Sequence, residues 1–235
     1  MDRGPRTADR RRLRPTVSRS HARACKEVTR YNEWTAVRRL RSVVSLKTYI
    51  MKTPRKVFLF IAMSVDGYIA KDEDNIDFLS SVEVPGEDYG YAAFQQEVDT
   101  VIWGRKTYEK ILTIDPQFSH KDKRCIVLSR TRQGRDQHVE FYNGPVEELI
   151  SMVKKEEGKN IYCDGGGDVV HSLLQKGLID RMIISIIPYM VGNGVRLFKS
   201  GNPEQALKLT RSLTFPSGLV QLWYVRTADD GPKTA

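Results

Sequence analysis

Ile161-Tyr162-Cys163-Asp164-Gly165-Gly166-Gly167-Asp168-Val169-Val170 is the stretch on which the fold is read. A short apolar run meets three consecutive glycines, and a helical pattern follows through Val169, Val170, Leu173 and Leu174. The sequence describes a strand, a tight turn without side chains, and a helix N-terminus. Such a turn lets a phosphate reach the backbone, and the helix end offers unpaired N–H groups and a partial positive charge. The same glycines would also serve a turn that only packs a helix closely on its strand. The dinucleotide fingerprint G-x-G-x-x-G is not met, because its last glycine position holds Val170.

The segments on either side repeat this grammar. Val57 to Met63 is a continuous apolar run, the mark of a central strand covered on both faces. Asp66-Gly67 signals a turn, and Asp88 to Glu97 reads as a helix with Tyr91, Phe94 and Val98 on one side. Asp99 to Trp103 is a strand that runs into Gly104-Arg105-Lys106-Thr107-Tyr108-Glu109, which opens another helix. Two cations and a hydroxyl at a helix N-terminus are anion-binding chemistry, or else a solvated first turn. Cys125 to Leu128 is a strand ending in Ser129-Arg130, His138 to Tyr142 a short one, and Pro145 to Lys155 a helix. Ile179 to Ile187 is a long β-rich run. Ala206–Phe215 and Leu219–Arg226, separated by Pro216-Ser217-Gly218, read as an antiparallel hairpin at a sheet edge. The alternation predicts a three-layer α/β domain with a mostly parallel central sheet and an antiparallel C-terminal hairpin. In such a sheet the strand C-termini share one edge, where ligands bind. Gly104–Thr107, Ser129-Arg130 and Gly165–Gly167 would then meet there, as one ligand with several phosphates requires.

Composition narrows the function classes. The 235 residues are 40% hydrophobic, and no apolar run approaches the roughly 20 residues that cross a bilayer. Three scattered cysteines make no CxxC or Cys/His cluster, so neither a disulfide framework nor a metal site is expected and a reducing, cytoplasmic setting is the default. The net charge of +9 is unevenly held. Residues 1–50 carry 14 Lys/Arg against 4 Asp/Glu, leaving 24 against 25 in the remainder. The basic character therefore belongs to a leader, and it does not argue for nucleic-acid binding by the folded domain. The leader is expected to be disordered: an arm for anionic surfaces, a targeting peptide, or a non-native extension upstream of Met51, the reading favoured here. The domain is placed at 51–227, with a polar tail over 228–235.

With these motifs in order, the chain resembles the dihydrofolate reductase-like superfamily. The resemblance rests on Ile61-Ala62-Met63-Ser64-Val65-Asp66-Gly67-Tyr68-Ile69-Ala70, Trp103 to Glu109, Val127 to Arg130, Gly165–Gly167, and Ile179-Asp180-Arg181 through Pro188 and Gly192-Asn193-Gly194 to Leu197-Phe198. It is closest to the RibD C-terminal type, the reductase of riboflavin biosynthesis, and its stand-alone bacterial relatives. It implies NADPH as cofactor, a homodimer, and hydride transfer to a small pyrimidine- or pteridine-like substrate, specifically reduction of 5-amino-6-(5-phosphoribosylamino)uracil. Gly104, Arg105, Lys106 and Thr107 match phosphate-holding positions, Ser129 and Arg130 the adenosine 2′-phosphate site, and Gly165, Gly166 and Gly167 the pyrophosphate turn. Ala62 and Ile69 match positions near the nicotinamide. For the carboxylate that assists protonation in dihydrofolate reductases, the candidates are Glu87 and Asp88, with Asp88 taken as catalytic.

The chain departs from the substrate-binding pattern of the riboflavin reductases at Phe94-Gln95-Gln96-Glu97 and at Asp115-Pro116-Gln117-Phe118, and Asp168 stands where some relatives carry a cation. The alternatives are dihydrofolate reduction and, in another class, a non-catalytic nucleotide binder or a nucleic-acid binder acting through the leader. Deleting residues 1–50 separates the last of these. The truncated chain is expected to keep cofactor binding in a fluorescence titration, and loss of all binding would assign the function to the leader.

Overall fold

The computed structural model describes residues 54–227. The expectations for residues 1–50 and 228–235 lie outside the described residues.

In chain order the elements are β1 (Val57–Ser64), β2 (Tyr68–Ala70), α1 (Tyr91–Gln96), β3 (Val98–Gly104), α2 (Arg105–Ile114), β4 (Arg124–Leu128), β5 (Gly134–Arg135), β6 (Glu140–Tyr142), α3 (Val146–Lys155), β7 (Asn160–Gly165), α4 (Gly167–Gln175), β8 (Arg181–Ile187), β9 (Val195–Arg196), β10 (Leu207–Thr214) and β11 (Val220–Arg226). Nine of the strands form one sheet in the order β10-β11-β8-β1-β7-β3-β4-β6-β5, while β2 and β9 pair separately. The six strands from β8 to β6 run parallel. The C-terminal hairpin closes one side antiparallel, and β5 does the same at the other.

The apolar runs explain this order. β1 lies between β8 and β7 and is covered on both faces. On one face Val57, Leu59, Ile161, Cys163, Met182 and Ile184 pack under α3 and α4, through Leu149, Ile150, Val153, Val169, Val170, Leu173 and Leu174. On the other, Phe58, Tyr162, Trp103 and Ile183 meet Phe94 of α1 and Tyr108 of α2. A smaller cluster of Phe78, Val82, Ile187 and Leu219 flanks this second face. Its first two residues belong to a 3-10 segment, Asp77–Val82, too short for helical periodicity to reveal.

The helix expected over Asp88–Glu97 begins at Tyr91. The Asp88 carboxylate accepts the N–H groups of Gly90 at 2.8 Å and Ala92 at 2.9 Å, and Gly90 is left-handed at φ 79°. Asp88 to Gly90 thus form the entry to the helix and not its first turn.

Leu173 holds α4 to the sheet and has no exposed surface. Leu173→Ala is expected to cost about 2–5 kcal/mol in urea unfolding, with little change in m-value.

Candidate active site

β7, β3 and β4 are neighbours and parallel, so their C-terminal ends form one edge. The turn after β7 is built without side chains for a visible reason. Gly165 has φ 106°, and a Cβ there would lie 3.2 Å from the Ile61 side chain. A Cβ on Gly166 would lie 2.9 Å from Thr107 Oγ1, the atom that accepts the Gly166 N–H at the same distance. That hydrogen bond ties the turn after β7 to the first turn of α2. The peptide between Gly165 and Gly166 is cis.

Two helix N-termini, those of α2 and α4, therefore open side by side, and neither is capped by a side chain. Their first N–H groups are available donors, reinforced by the helix dipole. Lys106 and Arg130 are exposed and enter no ion pair among the described residues. Both act on Asp168, whose carboxylate is held below the usual range chiefly by Lys199 and further by these two cations. Asp168 stands where some relatives carry a cation, and here it pairs with Lys199.

The other positions divide. Ser129 is buried, and its Oγ accepts the Arg132 N–H at 3.0 Å, so it shapes the loop while its own O–H stays free to donate. Arg105 makes a two-pronged contact with Glu109 on its own helix, at 2.8 and 2.9 Å. Ala62 and Ile69 sit apart. Ala62 faces the cavity described next, whereas Ile69 packs on the core under α4. The strand carrying Ile69 follows a turn pinned by Asp66, which accepts Ser64 Oγ and the N–H groups of Val191 and Gly192. The Ser64 hydrogen bond leads these in pulling the Asp66 carboxyl down to about 2.

Beside the cradle, over β1 and β8, lies a cavity of about 340 Å³. Phe60, Ala62, Ser185 and Ile187 form its floor, Tyr89, Tyr91 and Leu219 part of its walls, and Glu83, Glu87 and Asp88 its rim. Asp88 thus reaches the cavity, with its carboxylate on backbone N–H groups and its pKa lowered mainly by those of Ala92 and Gly90. Glu87 accepts the Tyr89 N–H at 2.8 Å. Of the segments that depart from the riboflavin-reductase pattern, Phe94 and Phe118 are buried in the core and Asp115 accepts the Ser119 N–H at 2.6 Å.

Asp164 was not singled out by sequence reasoning. It is only partly exposed as a residue, and its carboxylate accepts the Tyr162 hydroxyl and Trp103 Nε1, the latter at 2.7 Å. Desolvation outweighs both hydrogen bonds and raises its carboxyl to about 6. The available signal was a carboxylate inside an apolar strand, immediately before the glycines.

A model of the RibD C-terminal domain matches residues 55–221. YwjB of Bacillus subtilis strain 168, an uncharacterized protein, is 40% identical over 173 residues, which are 73% of this chain and 98% of YwjB. A solved structure from Shewanella sp. PV-4, assigned to riboflavin biosynthesis, is 30% identical with a TM-score of 0.68, covering 74% of this chain and 99% of that one. A dihydrofolate reductase of Enterococcus faecalis, solved with NADP(H), shares the fold at 16% identity and TM-score 0.52, covering 74% and 97%. The described domain has the dihydrofolate reductase-like fold. Among the described residues no helix is long and apolar enough to cross a membrane.

The raised Asp164 carboxyl has a consequence for stability. Folding favours its protonated form, so its contribution is complete below about pH 4 and is lost as pH rises through about 6. Asp164→Asn removes this dependence. Urea unfolding at pH 4 and pH 7 is expected to show the variant gaining roughly 1–2 kcal/mol on the wild type across that interval.

Proposed function

The chain belongs to the RibD C-terminal domain family, and from that membership we propose that it is an NADPH-dependent reductase of a pyrimidine- or pteridine-like acceptor. One observation carries the reading. Two uncapped helix N-termini and the cations Lys106 and Arg130, unpaired among the described residues, gather at the sheet edge, next to an aromatic-walled cavity. The donor set suits a diphosphate with a further phosphate at Arg130, since backbone N–H groups and a guanidinium both bind phosphate oxygens well. The solved structure from Shewanella sp. PV-4 and the Enterococcus enzyme support the same class.

When bound, NADPH supplies the hydride. The residues of this chain do the rest by positioning. The Thr107–Gly166 hydrogen bond fixes the two helix ends relative to each other. Ala62 is small enough to let a flat ring approach β1. The apolar floor and walls of the cavity exclude water from the acceptor. Both 5-amino-6-(5-phosphoribosylamino)uracil and dihydrofolate belong to the proposed acceptor class. The presence of Glu87 and Asp88 at the cavity favours dihydrofolate as a second reading. The three-cysteine chain would work in a reducing cytoplasm. The homodimer would form along edge strand β10, where Leu207 and Leu209 are 39% and 49% exposed.

The test is a fluorescence titration with NADPH and NADH. NADPH is expected to bind more tightly, and Arg130→Ala is expected to cost about 1.5–3 kcal/mol with NADPH and much less with NADH. Equal binding of the two cofactors, or binding of neither, would overturn the assignment.

A further inference from the structure

The acceptor cavity is sharply asymmetric in charge. Among the described residues its lining includes Glu83, Glu87 and Asp88 and no Lys, Arg or His. All three carboxylate residues are exposed at its mouth. Asp88 is held in its ionised form by the backbone N–H groups of Ala92 and Gly90. The cations at this edge of the sheet, Lys106 and Arg130, follow β3 and β4, beyond β7 from the cavity.

The floor adds an independent sign of a ligand. Ser185 is 3% exposed and lines the cavity. Trp223 Nε1, which can only donate, binds Gln221 Oε1 at 2.9 Å and so fixes the amide orientation. Gln221 Nε2 then donates to Ser185 Oγ at 3.2 Å and to the Tyr89 carbonyl oxygen at 3.2 Å. Ser185 Oγ is thereby an acceptor within the protein, and its own O–H is given to no acceptor among the described residues. A hydroxyl so deeply buried, with an unspent proton, is suited to a carbonyl oxygen or ring nitrogen at the cavity floor, where Phe60 and Tyr91 pack edge to face and offer one joined aromatic surface.

We infer that this cavity takes an uncharged or protonated planar nitrogen heterocycle and rejects one that carries a phosphate. The inference rests on the reductase reading for which ligand sits here, and on the cavity for its charge. A phosphate dianion at the mouth would meet three carboxylates, with no compensating cation in the lining among the described residues. An amine or protonated imine would be drawn in by the same rim, while Ser185 recognises the ring edge. The acceptor class is thus narrower than the resemblance implies, since it excludes the phosphoribosyl form of the aminouracil.

The test measures binding directly, by calorimetry on the full chain. The probes are 5-amino-6-ribosylaminouracil and its 5′-phosphate, each with and without NADPH. The unphosphorylated form is expected to bind at least about tenfold more tightly, with the gap narrowing as salt rises from about 0.05 to 0.5 M. Among the described residues Glu83 makes no side-chain hydrogen bond or ion pair, so Glu83→Gln and Glu83→Lys are expected to fold normally and to narrow the gap in that order. Equal or tighter binding of the phosphate ester overturns the inference, and a salt-independent gap does so too. If NADPH binds and neither probe does, the heterocycle assignment falls while the cofactor reading stands. If the probes discriminate as expected and NADPH does not bind, the inference holds and the reductase reading falls.

Discussion

The hydrogen bond from the Gly166 N–H to Thr107 Oγ1 joins two strand-to-helix junctions that are 59 residues apart in the chain. Either junction alone is an ordinary anion site, a few N–H groups at the start of a helix. Joined, they hold two helix ends at a fixed separation, as a ligand with two linked phosphates needs. The bond depends on the absence of side chains. A Cβ on Gly166 would take the space of the hydroxyl that accepts its N–H, and one on Gly165 would press on Ile61 of the next strand. The close approach that demands glycine here also leaves the backbone of the turn bare.

From this edge the domain is divided by charge. On the side of β7, β3 and β4 stand Lys106 and Arg130, without an ion pair among the described residues, and the pair Asp168–Lys199. On the side of β1 and β8 the cavity mouth is lined by carboxylates, and its floor is apolar apart from Ser185. β1 is the boundary, and Ala62 sits on it. The two neighbouring surfaces thus carry fields of opposite sign. The raised carboxyl of Asp164 near this boundary fits the same economy. An ionised carboxylate desolvated beside Trp103 and Tyr162 is costly, and Asp164 stays protonated to higher pH than an ordinary aspartate.

Much of the fold was legible because its strands are long, buried and apolar. β1, β3, β4, β7 and β8 follow their apolar runs closely, and the hairpin at Leu207–Arg226 follows its Pro-Ser-Gly turn. The errors lie where side chains compete with backbone periodicity. Asp88 captures the N–H groups that would have begun a longer helix, so α1 is six residues long. The 3-10 segment at Asp77–Val82 makes part of the cavity wall with too few residues to show a period. At the site, the position of each phosphate-directed residue could be read from strand ends, but its engagement could not. Arg105 turns to Glu109, Ser129 spends its lone pair on its own loop, and Asp168 finds Lys199 31 residues away.

The sequence by itself determined that parallel strands end in glycine-led helix starts at one edge, because apolar run length and the absence of Cβ atoms are local properties. It therefore set the bare starts of two helices along that edge. Only the tertiary structure decided which charges remain free, because ion pairing depends on contacts between segments far apart in the chain. Only the tertiary structure, likewise, assembled the cavity over β1 and β8. Its floor comes from β1 and β8 and its rim from the segment before α1, and the unspent hydroxyl of Ser185 follows from a hydrogen-bond chain that starts at Trp223. No one segment of the sequence holds enough of these partners to show that they meet.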